Sequence, residues 1–155
     1  IEGRIRFAAE VAEAVSGAIG ADKVGIRISP HNTTGTIAEE DVPELYGALL
    51  ARLAPLELAY LHVMETKDRD LTLRLRKEWP TTLILNPATA PDFTGPGELA
   101  LIEDGTADVI AFGALFLANP DLPARLAAGG PFNTPDFGKL FGGDHEGYTD
   151  YPALG

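Results

Sequence analysis

Ala107-Asp108-Val109-Ile110-Ala111-Phe112-Gly113-Ala114-Leu115-Phe116-Leu117-Ala118-Asn119-Pro120-Asp121-Leu122-Pro123 is the stretch on which the reading of this chain turns. Val109 to Phe112 form an apolar run of the kind that is buried on both faces in a parallel sheet. Gly113 ends the run without a Cβ, so backbone N–H groups there are open to close approach by a ligand. After Asn119-Pro120 a new helix is expected, with Asp121 in its first turn complementing the helix dipole. Strand, glycine turn and helix start, in this order, suit a phosphate, although many α/β loops share the pattern.

The alternation extends upstream. Phe7, Val11 and Val15, with Ala8 and Ala12 beside them, predict an amphipathic helix over 5–18. Val24 to Ser29 read as a strand closed by Pro30. Val42, Leu45, Leu49 and Leu53 mark a helix that starts near Asp41, with Glu39-Glu40-Asp41 as its charged beginning. Leu58 to Met64 is the second strand; Leu71, Leu75 and Trp79 mark a third helix, and Thr82 to Leu85 the third strand. A Pro/Gly-rich loop and a short helix holding Leu99 and Ile102 lead into the fourth strand. Strands that alternate with helices at this spacing imply a parallel sheet with right-handed crossovers. Four such units build either a small open doubly wound sheet or half of a (β/α)8 barrel, and periodicity does not choose between them. From Gly129 onward the chain is irregular and rich in Gly, Pro and aromatics.

With 155 residues there is enough chain for one domain with a real core, and 45% hydrophobic against 23% charged residues is ordinary for a globular protein. A formal charge of −11 argues against a nucleic-acid or anionic-membrane surface, both of which need clustered Lys and Arg. The absence of cysteine excludes disulfides, thiolate catalysis and zinc–thiolate sites and fits a cytoplasmic setting. No metal site is expected. The helical pattern is already running by Arg6 with no cap in front of it, which reads as a fragment of something longer.

In a barrel, chemistry sits at the carboxyl ends of the strands. Here those ends carry Arg27-Ile28-Ser29-Pro30, His62 to Glu65, Asn86-Pro87 and Gly113-Ala114. With these residues in view, the sequence resembles the old yellow enzyme family of flavin-dependent ene-reductases. The matching residues are Gly25-Ile26-Arg27-Ile28-Ser29-Pro30, Phe112-Gly113 with Ala118-Asn119-Pro120-Asp121-Leu122, and Gly142-Gly143 with Gly147-Tyr148-Thr149-Asp150-Tyr151-Pro152. Ile1-Glu2-Gly3-Arg4 matches the recognition tetrapeptide of a tag-removing protease. With Ile5-Arg6-Phe7 it also resembles the family's Ile-Glu-Asn-Arg-x-Arg-Phe helix start, which favours native sequence.

The resemblance runs through essentially the whole chain. It implies a (β/α)8 TIM barrel of roughly twice this length, of which residues 1–155 supply the second four βα units of a single FMN-binding domain. The implied reaction is NAD(P)H-driven reduction of the activated C=C of an enone- or enal-type substrate. Arg27 is similar to the arginine beside the flavin N1/C2=O edge; Asn86 stands where the family approaches the flavin phosphate and ribityl chain. Ala111, Gly113 and Ala114 match the phosphate-binding turn, and Tyr148 the aromatic above the flavin face.

Three departures stand out. Ala114 replaces the arginine that usually follows the turn glycine and can hold phosphate bidentately, so weaker FMN retention is expected. Leu85 precedes Asn86 where a glycine is usual, and Phe141 replaces a tyrosine. The family's substrate-anchoring His-x-x-Asn or His-x-x-His pair is missing: Thr34, Glu65 and Tyr148 stand three residues after His31, His62 and His145. The catalytic donors are therefore expected on an amino-terminal half that would be this chain's partner. Plainer readings stand beside these. Arg27 could be salt-bridged inside a structural α/β domain, and His62 could be a hydrogen-bonded structural histidine. His145 suits a solvated loop, and Tyr151 could pin the tail. A half barrel leaves two sheet edges open, so self-association that binds FMN or another phosphate ligand without reductase activity is the alternative.

Overall fold

The computed structural model describes residues 1–33, 35–89, 92–141 and 144–155; Gly142 and Gly143 of the resemblance motif lie outside them. The chain divides into two compact units, one of residues 1–88 and 100–110, the other of residues 89–99 and 111–155.

The first unit is a four-stranded parallel sheet, β1 (Gly25–Ile28), β2 (Tyr60–Met64), β3 (Thr82–Asn86) and β4 (Val109–Ile110), in the order β1-β2-β3-β4. The helices are α1 (Glu2–Ile19), α2 (Val42–Leu53), α3 (Arg69–Glu78) and the single turn α4 (Ala100–Glu103). A doubly wound sheet reverses its strand order at a switch point. This sheet never reverses, so it is the sequential winding of a barrel.

Alternation along the strands gives the sheet two unlike faces. Ile28, Leu61, Val63, Leu83, Leu85 and Ile110 are buried, as are Leu49, Leu50 and Leu53 of α2 and Leu71 and Leu75 of α3. The other face is open: Arg27, Tyr60, Thr82 and Val109 are exposed, and His62, Met64, Ile84 and Asn86 half-buried. The expectation of strands buried on both sides is corrected here. Val109 is 43% exposed beside a buried Ile110, so the second face at that strand is not covered among the described residues. Pairing in the fourth strand also stops at Ile110, two residues short of the expected end. Its register is fixed by Asp108, whose carboxylate accepts the Leu83 N–H at 2.8 Å while pairing with Arg76 at 2.8 Å.

The first helix is present where it was expected, with its larger apolar residues turned outward. It buries Ile5, Ala9, Ala12 and Ser16, and turns Phe7 (79% exposed), Val11 and Val15 outward. The larger side chains line an apolar cleft of about 320 Å³ together with Val24, Gly25 and Ile26 of the edge strand region. Apart from Ile5, the inward residues are small, which suits close packing of α1 on α2. Gly25 leaves a slot that the Tyr60 ring fills from across the ladder; a Cβ there would meet the ring, which would have to turn away. Asp41 is a left-handed residue at the start of α2 and pairs with Arg4 at 2.9 Å; Glu39 accepts the His31 N–H and the Tyr46 hydroxyl. The acidic run stands directly before α2 as expected, with Asp41 at its N-cap, and Glu39 and Asp41 serve as tethers besides.

In the second unit two short helices, α5 (Ala114–Ala118) and α6 (Leu122–Ala128), precede the tail. Asn119 is fully buried. Its Nδ2 donates to Leu115 O at 2.8 Å and its Oδ1 accepts the Asn133 N–H at 2.8 Å. Arg125, also buried, reaches Asp121 at 2.6 Å and the carbonyls of Pro131 and Pro152 at 2.6 and 2.7 Å. These two side chains supply hydrogen-bond partners that an irregular tail cannot supply for itself. Asp121 accordingly serves Arg125 and the Leu154 N–H; it makes no side-chain cap.

Two substitutions separate the inward from the outward apolar set. Leu83→Ala, at a fully buried site, is expected to cost about 2–5 kcal/mol in urea unfolding of the chain. Val11→Ser, on the outward stripe, is expected to cost less than about 1 kcal/mol. A Val11→Ser loss as large as that of Leu83→Ala would place the stripe in the core.

Candidate functional site

On the open face of the first unit's sheet, Arg27 of β1 is the Cα partner of His62 in β2, and Met64 that of Asn86 in β3. A cation, a thioether and a carboxamide therefore run diagonally over three strands toward their carboxyl ends. Arg27 Nη2 lies 3.1 Å from Met64 Sδ. The salt-bridged reading of Arg27 is not met: among the described residues no carboxylate pairs with it, whereas Arg52, Arg69, Arg76 and Arg125 all have acidic partners. A guanidinium left without a counter-charge in a chain of net charge −11 is well placed to attract an anionic group.

His62 departs from its expected hydrogen-bonded role. Its Nε2 is buried and has no partner among the described residues. Burial, and then the positive charge of Arg27, hold its pKa below the ordinary histidine value, so the ring is neutral at pH 7.

The loop beyond Asn86 is anchored by Glu65, which the sequence reading passed over. Burial alone would raise this carboxyl's pKa. Hydrogen bonds from Arg69, Thr72 and the Ala88 N–H outweigh burial and bring it below the usual value. Arg69 holds both carboxylate oxygens at 2.8 Å, Ala88 N–H donates at 3.2 Å, and the Glu65 N–H donates to Asn86 O at 2.9 Å. The only sequence signal for this role was an acid next to a strand with an arginine four residues on. Nearby, His31 Nε2 and Asp68 Oδ2 lie 3.2 Å apart, and Asp68 caps α3 through the Leu71 N–H.

In the second unit, Ala111 is half-buried and Gly113 leads directly into α5, with Ala114 as its first residue. The expected helix after Asn119-Pro120 is present as α6; the five-residue helix before it was missed, although Leu115 and Ala118, its buried pair, stand at helical spacing. Phe116 and Leu117 donate to Gly113 O, which leaves the first N–H groups of the helix outside its own ladder. A Cβ at Gly113 would meet nothing within 4 Å, and its φ of −98° suits any residue. Packing among the described residues therefore does not demand glycine here, whereas the pairing of that φ with a ψ of −90° lies outside the helical and extended regions. Tyr148 is 47% exposed on the tail. The Tyr151 hydroxyl accepts the N–H of Asp136, itself part of the tail, at 2.8 Å. His145 is solvent-exposed beside Asp144. Among the described residues, no helix is long and apolar enough to cross a membrane.

A sequence model of the NADH:flavin oxidoreductase / NADH oxidase family matches residues 1–133. The chain is 41% identical to a 12-oxophytodienoate reductase-like protein of Solanum lycopersicum, over 99% of its own length and 42% of that protein. It is 37% identical to a probable flavin mononucleotide-dependent alkene reductase of Leishmania infantum, with the same coverage. Among solved structures, morphinone reductase in complex with tetrahydroNAD matches with a TM-score of 0.88 and 35% identity, over 99% of this chain and 42% of that one. An old yellow enzyme homologue from Zymomonas mobilis matches with a TM-score of 0.87 and 30% identity, over 99% and 44%. The chain spans somewhat under half the length of the curated relatives it matches.

Replacing Glu65 by Gln is expected to lower unfolding stability at pH 7 by about 1–3 kcal/mol, since Arg69 and the Ala88 N–H lose a charged acceptor. The folded-state pKa is depressed, so the carboxylate's contribution is present above its unfolded value of about 4.5 and is lost as pH falls through the folded value. The gap between the two proteins in thermal melts should therefore close below that pH. A gap that stays constant down to strongly acid pH would rule out the charged anchor.

Proposed function

The chain belongs to the NADH:flavin oxidoreductase / NADH oxidase family, and from that premise we propose that residues 1–155 are the carboxy-terminal, FMN-holding half of a single ene-reductase barrel. The observation that carries this reading is Arg27, an exposed guanidinium on the open sheet face with no carboxylate partner among the described residues. The residues fit the cofactor: an uncompensated cation faces outward, and at Gly113 a Cβ would meet nothing, so the turn is open to close approach. FMN, when bound, supplies hydride transfer from NAD(P)H to the activated C=C of an enone- or enal-type substrate.

Each residue of the chain has a defined task on this reading. Arg27 presents a fixed positive charge where a flavin ring gains negative charge on reduction. Asn86, at the end of β3, is the residue that approaches the ribityl chain on this reading. Ala111, Gly113 and Ala114 offer backbone N–H groups to the phosphate. Ala114 adds no side-chain donor, so retention of the cofactor is weaker than with an arginine there. Tyr148 lines the substrate side. The proton donor and the carbonyl-anchoring pair come from the amino-terminal half.

Support for a partner half comes from the coverage of about two-fifths of each relative, the open sheet face, and the outward Phe7, Val11 and Val15 beside edge strand β1. The same stripe favours a second reading, self-association of this chain into a half-barrel assembly that binds FMN or another phosphate ligand without reductase activity.

FMN titration followed by flavin fluorescence, with and without the complementary amino-terminal segment, tests the proposal. Saturable binding is expected in both cases, and NADH- or NADPH-driven reduction of cyclohex-2-enone only in the mixture. Arg27→Ala should weaken FMN binding by roughly tenfold, equivalent to about 1.4 kcal/mol. Unchanged affinity and turnover in Arg27→Ala would overturn the assignment. Saturable binding by a self-oligomer that stays inactive in the mixture would support the second reading.

A further inference from the structure

Most arginines elsewhere in this chain are held by carboxylates, among them Arg52 by Glu13 at 2.7 Å, Arg69 by Glu65 at 2.8 Å and Arg76 by Asp108 at 2.8 Å. Arg27 is instead met by the sulfur of Met64 at 3.1 Å, in a sequence with 23 acidic residues and only one methionine. The sheet register explains how they meet. His62 is the direct cross-strand partner of Arg27, and Met64 lies two residues further along on the same open face, within reach of a long side chain.

We propose that Met64 is a positioning residue for Arg27: its thioether takes the Nη2 hydrogen bond and orients the guanidinium while leaving the positive charge uncompensated for an anionic ligand. A carboxylate at this position would orient Arg27 more firmly, but it would neutralise the charge and compete with the ligand for the same N–H groups. A purely aliphatic side chain would leave the arginine among its many rotamers, and that ordering entropy would then fall on ligand binding. A thioether is a weak, uncharged acceptor on a flexible stem and avoids both costs. Its half-burial between Arg27 and Asn86 keeps it at the centre of the diagonal described above. The proposal rests on the reading of Arg27 as a flavin-facing residue.

The single methionine makes the test direct. In the full chain labelled with methyl-13C methionine, Arg27→Ala should shift the one methyl resonance, and addition of FMN should shift it again. In FMN titrations, Met64→Leu, close in volume but without an acceptor, should raise Kd about three- to tenfold. Met64→Gln, an uncharged acceptor, should restore most of the loss, and Met64→Glu should bind worst at pH 7. A methyl resonance that ignores Arg27→Ala overturns the contact. Wild-type affinity in Met64→Leu, with Arg27→Ala impaired, overturns the positioning role but leaves the flavin reading intact. No FMN binding by the chain, or normal binding by Arg27→Ala, overturns that reading and the positioning role with it.

Discussion

A β-strand sends successive side chains to opposite faces, and both the core and the candidate residues of the sheet depend on which side that rule sends them. In β1, β2 and β3 the rule puts Ile28, Leu61, Val63, Leu83 and Leu85 on one side and Arg27, His62, Met64 and Asn86 on the other. The first set supplies the hydrophobic stabilisation. The second set is thereby held on a rigid support, which short polar loops could not provide. A slip of one residue in any of the three strands would bury a polar or charged group from the second set and expose a leucine, isoleucine or valine, so the register of the site and the register of the core are the same constraint.

Polar groups that leave water need partners, and two buried ions show how the connections are stabilised. Glu65 spends its carboxylate on Arg69 and on the backbone just past Asn86. Arg125 spends its guanidinium on Asp121 and on carbonyls of the tail. Arg125 lies on α6, and Glu65, directly after β2, is held by Arg69 of α3; each satisfies backbone that belongs to no regular element. These connections are thus ordered by ion pairs, where the sheet is ordered by hydrophobic burial.

The sequence made the winding legible. Four apolar runs separated by helical periodicity correspond to β1 to β4 and to α1 to α3 within a few residues, because their hydrophobic spacing is long enough to be unambiguous. Strand order was not legible, since both barrel and open sheet satisfy the same periodicity; only the register between strands decides it. The outward face of α1 was misread for a physical reason. A stripe of Phe7, Val11 and Val15 looks like a core stripe whether its partner lies inside the chain or elsewhere, while the small residues Ala9, Ala12 and Ser16 that make the close contact carry little hydrophobic signal. Arg27 was legible as an anomaly, a charge in an apolar strand. What met it was not, because Met64 is remote in sequence and is joined to it only by cross-strand geometry. Glu65 was hidden among many acids; its distinction is burial, which composition does not report.

The unreversed strand order carries a kinetic meaning as well. Each strand pairs only with the strand before and after it, so every ladder closes over a single helical connection and no pairing must wait for distant ends of the chain to meet. Loop-closure entropy is then spent in small, similar instalments. A sheet wound this way can grow strand by strand as it emerges from synthesis, with its leading edge always ready for the next addition. For a barrel, such growth is open-ended until first and last strands join, and the cooperative gain of closure comes only with that final step. A protein made this way is assembled strand by strand, each unit paired before the next is added.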